Sequence, residues 1–430
     1  MSLKTFKLIV MLVFTFLYIG CGGNESIEEI DKPTIGLSVE AELLELEFVY
    51  NKSIFSTEIT RNEINFIREL PFEVIEFHVN SLKVSTGATL ELKIGDVINL
   101  NQTPKTIIVT AEDGISKKEY HITYSSITYK SIVKKNGGLK VIGNKIVNKN
   151  NEAVSFAGNS FFWSNNNWGG ERFYKPSVVS WLKLDWESTI VRAAMGVDEP
   201  GGYLEDKLAN KNRSKVIVDA AIKEGIYVII DWHSHHAENY TEEAIEFFME
   251  MAQLYGDYDN VIYEIYNEPL DISWSNTIKP YAEKVIAGIR EFDSDNLILV
   301  GTPNWSQRVD EAAADPIADF SNIAYVLHFY SVYHGDWLRS VANKALSLGV
   351  ALFVTEWGPV GYTQNDSETN NWITWCKDNK ISHCSWAVND KEEEWSILKT
   401  GSSTMGGWKD INLTESGKLE RAIIRDWENN

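Results

Sequence analysis

From about residue 150 onward the chain repeats one pattern. A short, nearly continuous apolar run is followed by a polar loop, and then by a stretch whose apolar residues recur every three or four positions. The apolar runs fall at 154–158, 189–194, 227–232, 261–266, 297–301, 323–329, 351–355 and 383–387. Their lack of alternation predicts strands covered on both faces, as in a parallel sheet wrapped by helices. The intervening stretches, such as 215–223 and 241–254, have the period of amphipathic helices. Eight strand and helix units in succession predict an α/β fold, a (β/α)8 TIM barrel over residues 131–430. The segment 134–150, ahead of the first run, reads as a hairpin closing the bottom of that barrel.

Residues 32–127 follow a different pattern. Here apolar and polar residues alternate in short stretches such as 106–110 and 119–124, joined through Asp113-Gly114, a turn dipeptide favoured in hairpins. This predicts a small all-β sandwich. The segment PKTIIVTAEDGISKKEYHITY resembles the closing hairpin of immunoglobulin-like modules that serve as spacers on surface proteins. All 15 tryptophans lie beyond residue 160, so the boundary between the two modules is also one of composition. Without tryptophan or an aromatic platform, the upstream module is expected to be a spacer rather than a glycan-binding domain.

The first 21 residues carry an address. Lys4 and Lys7 precede an apolar run from Leu8 to Ile19, too short to span a bilayer and right for the core of a signal peptide. The Tyr-Ile-Gly-Cys ending at Cys21 resembles a bacterial lipoprotein cleavage site, which implies lipid attachment at Cys21. Residues 22–31 then form a short acidic tether. The expected location is outside the cytoplasm, anchored by lipid to the outer membrane or cell surface, with simple secretion as the alternative. Beyond Cys21 there are only Cys376 and Cys384, too few for a disulfide framework, so buried thiols are expected.

Charge narrows the partners. A formal net charge of −21 disfavours nucleic acid and anionic lipid surfaces, which attract lysine and arginine. A neutral polymer fits better, and 15 Trp with 18 Tyr supply flat faces with polar edges that suit amphipathic ligands.

In a barrel of this kind the active site lies at the C-terminal ends of the strands. The polar residues read as ending the apolar runs are Arg192 at the second, His233 at the third, Asn267 and Glu268 at the fourth, His328 and Tyr330 at the sixth, Glu356 at the seventh, and Trp386 at the eighth. Taken singly, each has a plain structural explanation; together they converge on one mouth. Two carboxylates on the fourth and seventh strands meet the requirement for cleaving a glycosidic bond by double displacement, in which one carboxyl protonates the leaving sugar and the other attacks the anomeric carbon. Arg192 and Tyr330 are candidate donors to keep the nucleophile charged. Asn267 is placed to bind the 2-hydroxyl of the sugar. His233-Ser-His235-His236 also invites a metal reading, as in metal-dependent amidohydrolases. That reading leaves the two glutamates without a use, as does a non-catalytic glycan-binding lipoprotein, so no metal and no cofactor are expected.

Residues 131–410 resemble a glycoside hydrolase family 5 endoglucanase. The matching segments are AGNSFFWSNNNWGG, STIVRAAMG, IYVIIDWH, VIYEIYNEP, IKPYAEKVI, LILVGTP, HFY, FVTEWG and WAVNDKEE. The resemblance implies Glu268 as acid/base and Glu356 as nucleophile. It places Arg192, His233, Asn267, His328, Tyr330 and Trp386 at the usual active-site positions, Trp163 as a sugar platform, and Lys391 and Glu393 further along the cleft. It also implies an endo-acting retaining enzyme on β-1,4-glucans such as cellulose, with mannan, xyloglucan or mixed-linkage glucan as alternative substrates, working as a monomer. Gly196 stands where some relatives carry a tyrosine, and the loop 359–366 differs from theirs.

Overall fold

The structure is a computed structural model that describes residues 36–50, 53–66, 76–99, 105–123, 131–359 and 367–427. The predicted signal segment, Cys21, the acidic tether and all but the first residue of the loop 359–366 lie outside the described residues.

Upstream, eight strands form the expected all-β module: β1 (Leu43–Tyr50), β2 (Ser53–Thr60), β3 (Glu63–Phe66), β4 (Glu76–Val84), β5 (Thr89–Leu90), β6 (Val97–Asn99), β7 (Lys105–Thr110) and β8 (Lys117–Thr123). They hydrogen-bond in the order β5-β7-β8-β3-β2-β1-β4-β6. The strand β2 changes partner midway, pairing with β1 up to Ser56 and with β3 from Thr57. Both halves turn alternate side chains onto one core, where Phe48, Phe55 and Phe77 pack with ring centroids 5.4 to 5.9 Å apart.

The second module opens with a short helix, Ile132–Asn136, and a hairpin of β9 (Lys140–Ile142) and β10 (Lys145–Val147). Its contacts lie at the starts of later strands. The Tyr227 hydroxyl donates to the Gly137 carbonyl at 2.7 Å, and the Val141 N–H donates to Asn322 just ahead of Ile323 at 3.1 Å. The hairpin therefore covers the N-terminal end of the barrel.

The barrel is closed and all parallel, built from β11 (Ala157–Phe161), β12 (Ile190–Gly196), β13 (Tyr227–His233), β14 (Val261–Glu264), β15 (Ile298–Val300), β16 (Ile323–Tyr330), β17 (Leu352–Gly358) and β18 (His383–Val388). Every residue of these strands except Tyr330 is buried. The helices Lys207–Glu224 and Thr241–Tyr255 enclose the two helical stretches expected from the sequence.

One strand differs from expectation. β11 runs three residues later than 154–158, because Val154 is held by the hairpin through a 3.1 Å bond to the Ile146 carbonyl. Barrel pairing begins at Ala157 opposite His383. It continues through two polar residues whose side chains are satisfied across the barrel: Asn159 by Ser188 and Ser385, and Ser160 by Arg192. Arg192 itself lies inside β12 rather than at its end. Cys376 and Cys384 are buried free thiols, and burial raises the pKa of both.

Candidate active site

The segment after β14 carries the first carboxylate. It continues alongside β13 beyond the regular strand, with Asn267 N–H donating to the Trp232 carbonyl and Glu268 N–H to that of Ser234, each at 3.3 Å. Gly301, after β15, makes this path possible. A Cβ there would stand 2.3 Å from the Tyr266 carbonyl oxygen and 2.8 Å from Pro269 Cδ. Glu268 is thereby lifted to the C-terminal mouth of the barrel, its side chain 13% exposed.

Glu356, on β17, faces it. Carboxylate oxygens of Glu268 and Glu356, together with a ring nitrogen of His328, lie within 4.8 Å of one another. The two carboxyls have unlike surroundings. Glu356 accepts from Tyr330 Oη at 2.6 Å and from Arg192 Nη1 at 3.1 Å. Burial pushes Tyr330 well above its usual pKa, so the phenol keeps the proton it donates. Glu268 has no arginine or tyrosine on it. Burial, the largest influence, raises its carboxyl to about 7, opposed by His235, whose Nδ1 is 3.6 Å away, and by Arg192. Its Oε1 lies 2.9 Å from His328 Nδ1.

Beneath the pair sits Arg192, fully buried among three carboxylates. Its Nε and Nη2 donate to both oxygens of Glu264 at 2.7 and 3.1 Å, Nη2 lies 3.0 Å from Asp231, and Nη1 reaches Glu356. One guanidinium does not neutralise three acids at this depth. Burial therefore raises Asp231 to about 8 and Glu264 to about 7, with Arg192 pulling each down. Arg192 Nη2 also donates to Asn267 Oδ1 at 2.7 Å, which turns the amide so that Nδ2 has no partner. That buried donor beside Glu268 is left open to a ligand acceptor.

His233 Nδ1 lies 2.7 Å from Asp231, and burial lowers its pKa well below the ordinary value, so the ring is neutral. It stacks on Trp386 with centroids 5.1 Å apart and planes 4° from parallel, and meets the Trp163 ring edge-on at 4.1 Å. Phe162, Trp163, Trp168, Tyr330, Trp386 and Trp395 form one aromatic cluster along this wall. Lys391 Nζ lies 4.2 Å from the Phe162 ring centroid and 2.5 Å from Glu393, so these two predicted residues pair with each other at the edge of the cluster. Gly196 leaves no room for a side chain: a Cβ would lie 1.7 Å from Asn165 Oδ1 and 3.0 Å from Trp163 Cε3. The loop after β11 thus fills the space beside Gly196.

The three histidines of the β13 loop do not converge. His233 turns to Asp231, His235 to Glu268, and His236 is exposed. Among the described residues, the set with metal-ligand spacing is Glu268, His328 and Glu356. Each is already engaged, His328 by Glu268 and Thr355, and Glu356 by Arg192 and Tyr330. A guanidinium on one of the three is poor company for a cation, so the donor set does not fit a metal centre.

Several residues were missed by sequence reasoning. Asp231, Glu264 and Thr355 belong to the site, and their signal was a charged or hydroxyl residue inside runs that otherwise call for apolar ones. Trp305 is another. It sits 43% exposed in a run of three non-glycine residues with positive φ, Asn304 to Ser306. This costly backbone is bonded to the segment that carries Glu268: Asn304 and Trp305 N–H donate to the Leu270 and Pro269 carbonyls at 2.9 and 2.8 Å, and Ser306 Oγ to that of Asn267 at 2.8 Å.

The arrangement has counterparts. Residues 147–392 match the family model described as cellulase (glycosyl hydrolase family 5). The chain is similar to Endoglucanase Z of Dickeya dadantii, 57% identical over 293 residues that cover 67% of this chain and 66% of that protein. It is also similar to an endoglucanase of Clostridium saccharobutylicum, 42% identical over 299 residues covering 67% and 65% respectively. The match thus spans just under two thirds of each curated relative. Among solved structures, a chain from Cytophaga hutchinsonii superposes with a TM-score of 0.65 at 48% identity, covering 68% of this chain and 96% of that one. The catalytic domain of an endoglucanase from Thermobifida fusca does so at 0.63 and 30% identity, covering 69% and 99%, and has also been solved in complex with cellotetraose.

Proposed function

The chain belongs to glycosyl hydrolase family 5, the cellulases, and from that premise we propose that it is an endo-acting glucanase that hydrolyses internal β-1,4 bonds of cellulose or a related β-glucan with net retention. The carrying observation is the spacing of Glu268 and Glu356, whose carboxylate oxygens approach within 4.8 Å. Retaining enzymes hold their carboxyls about 5 to 5.5 Å apart, whereas inverting ones need roughly 6.5 to 9.5 Å to admit a water.

Glu356, held by hydrogen bonds from Arg192 and Tyr330, attacks the anomeric carbon while Glu268 gives its proton to the departing oxygen. A glycosyl ester on Glu356 results. Glu268, now a carboxylate, takes a proton from water as that water attacks the ester, which frees Glu356 and restores the acid. Asn267 Nδ2 donates to the 2-hydroxyl of the sugar under attack, and His233 Nε2 hydrogen-bonds a neighbouring hydroxyl. Trp386 and Trp163, with Lys391 and Glu393 beyond them, hold sugars on the non-reducing side. Trp305, tied to the acid-bearing segment, offers a face to the leaving sugar. Lipid attachment at Cys21 would keep this monomeric enzyme at the cell surface, with the upstream module as spacer. No helix among the described residues is long and apolar enough to cross a membrane.

One variant tests the assignment. Glu356→Ala should lose at least roughly a thousandfold in turnover of carboxymethylcellulose. With azide and an activated cellobioside it should form a glycosyl azide of the opposite anomeric configuration to the substrate. A folded variant that azide does not rescue would remove Glu356 from the nucleophile's role.

A further inference from the structure

A chain of short hydrogen bonds runs down from the proposed acid into the barrel. Glu268 Oε1 meets His328 Nδ1 at 2.9 Å, His328 Nε2 meets Thr355 Oγ1 at 2.7 Å, and Thr355 Oγ1 meets Glu264 Oε1 at 2.7 Å. His328, Thr355 and Glu264 are all buried. Each link has one proton to place, and the lower end dictates where the protons go. Both oxygens of Glu264 accept from Arg192, and the Thr355 hydroxyl donates to Oε1 beside that guanidinium. Thr355 Oγ1 must then accept from His328, which places the imidazole proton on Nε2. Burial lowers His328 to about 4, so the ring carries a single proton near neutral pH and Nδ1 presents only a lone pair. The 2.9 Å contact is then a hydrogen bond only when Glu268 carries the proton.

We propose that Thr355 is a positioning residue: by fixing the tautomer of His328, its hydroxyl makes the protonated form of Glu268 the one the site accepts before each leaving-group departure. The inference rests on the reading of Glu268 as the acid. The other titratable groups facing Glu268 are Asp231 on β13, His235 from the loop after it, Arg192 on β12, Glu264 on β14, Tyr330 on β16 and Glu356 on β17. Glu264 in turn faces Arg192, Asp231 and His328. None of these supplies Glu268 with the acceptor that His328 Nδ1 provides.

Removing the hydroxyl frees the imidazole. In Thr355→Val, His328 Nε2 has no acceptor, and the ring can place its proton on Nδ1 and donate to Glu268 as a carboxylate. The ionised form is then favoured, and the acid is lost at lower pH. The experiment is the pH dependence of kcat/KM for the full chain, its Thr355→Val variant and its Thr355→Ser variant. Two substrates are compared: cellotetraose, whose leaving sugar needs a proton, and a dinitrophenyl cellobioside, whose leaving group does not.

For Thr355→Val we expect a roughly tenfold loss on cellotetraose near neutral pH, with the alkaline limb moved to lower pH. We expect a change of about twofold or less on the aryl glycoside, and restoration of both the rate and the limb in Thr355→Ser. A loss shared equally by the two substrates, or an alkaline limb that stays in place, would overturn the proposal. The reading it rests on fails differently: Glu268→Gln would then keep its rate on cellotetraose.

Discussion

Glu268 and Glu356 are the same residue type a few ångströms apart, and their neighbours make them different acids. Glu356 takes hydrogen bonds from a tyrosine and an arginine. The burial of Glu268 favours the neutral form against the opposing pull of His235 and Arg192, and His328 Nδ1 lies 2.9 Å from its Oε1. This predicts an asymmetry between variants. Glu268→Gln keeps the shape but removes the transferable proton, so steady-state kcat/KM on unactivated oligosaccharides should fall roughly a hundredfold or more. The glycosylation rate of an activated aryl cellobioside, followed in a pre-steady-state burst, should fall far less. Both glutamates were legible in the sequence because each interrupts or ends an apolar run where the barrel opens. Asp231, Glu264 and Thr355 were not. Alternate residues of a barrel strand face the interior or the helices, and a run read only for apolarity hides an interior that is polar around one arginine.

At the scale of elements, strand identity followed from apolar content and strand limits did not. β11 shows why. Val154 and Phe156 look like its strand, but pairing with the hairpin takes Val154 away, and the barrel instead recruits Asn159 and Ser160, whose partners lie far along the chain. The helix Glu415–Arg425 holds a similar feature. Its Glu420 is fully buried with neither carboxylate oxygen in hydrogen-bond geometry. Burial raises its pKa well above the usual range, with partial relief from Ser385. The folded protein therefore holds a proton that the unfolded chain releases above about pH 4. Stability is present below that point and is lost as pH rises toward the folded pKa. Glu420→Gln should leave the melting temperature at about pH 4 little changed and raise it by roughly a few degrees at about pH 8. Calorimetry across that range checks it, and an equal shift at both ends would contradict the linkage.

Over the whole molecule, composition and geometry tell one story. The tryptophans are confined to the barrel module, and six of its aromatic side chains line one wall of the mouth. The chain carries a net charge of −21, which suits a neutral polymer. The barrel was legible as eight apolar runs separated by helical stretches. The upstream module was legible as alternation, though not the way β2 divides its pairing between two neighbours. Local pattern reports which face is buried, whereas sheet order depends on contacts distant in sequence. The central claim is that one pocket holds both glutamates close enough for direct attack by Glu356, and the stereochemistry of the first product reports on it most directly. Proton NMR during the first minutes of cello-oligosaccharide hydrolysis should show new reducing ends as the β anomer, with the α anomer growing in only by mutarotation. An α anomer appearing first would mean that water, not Glu356, attacks the sugar, and would contradict the account.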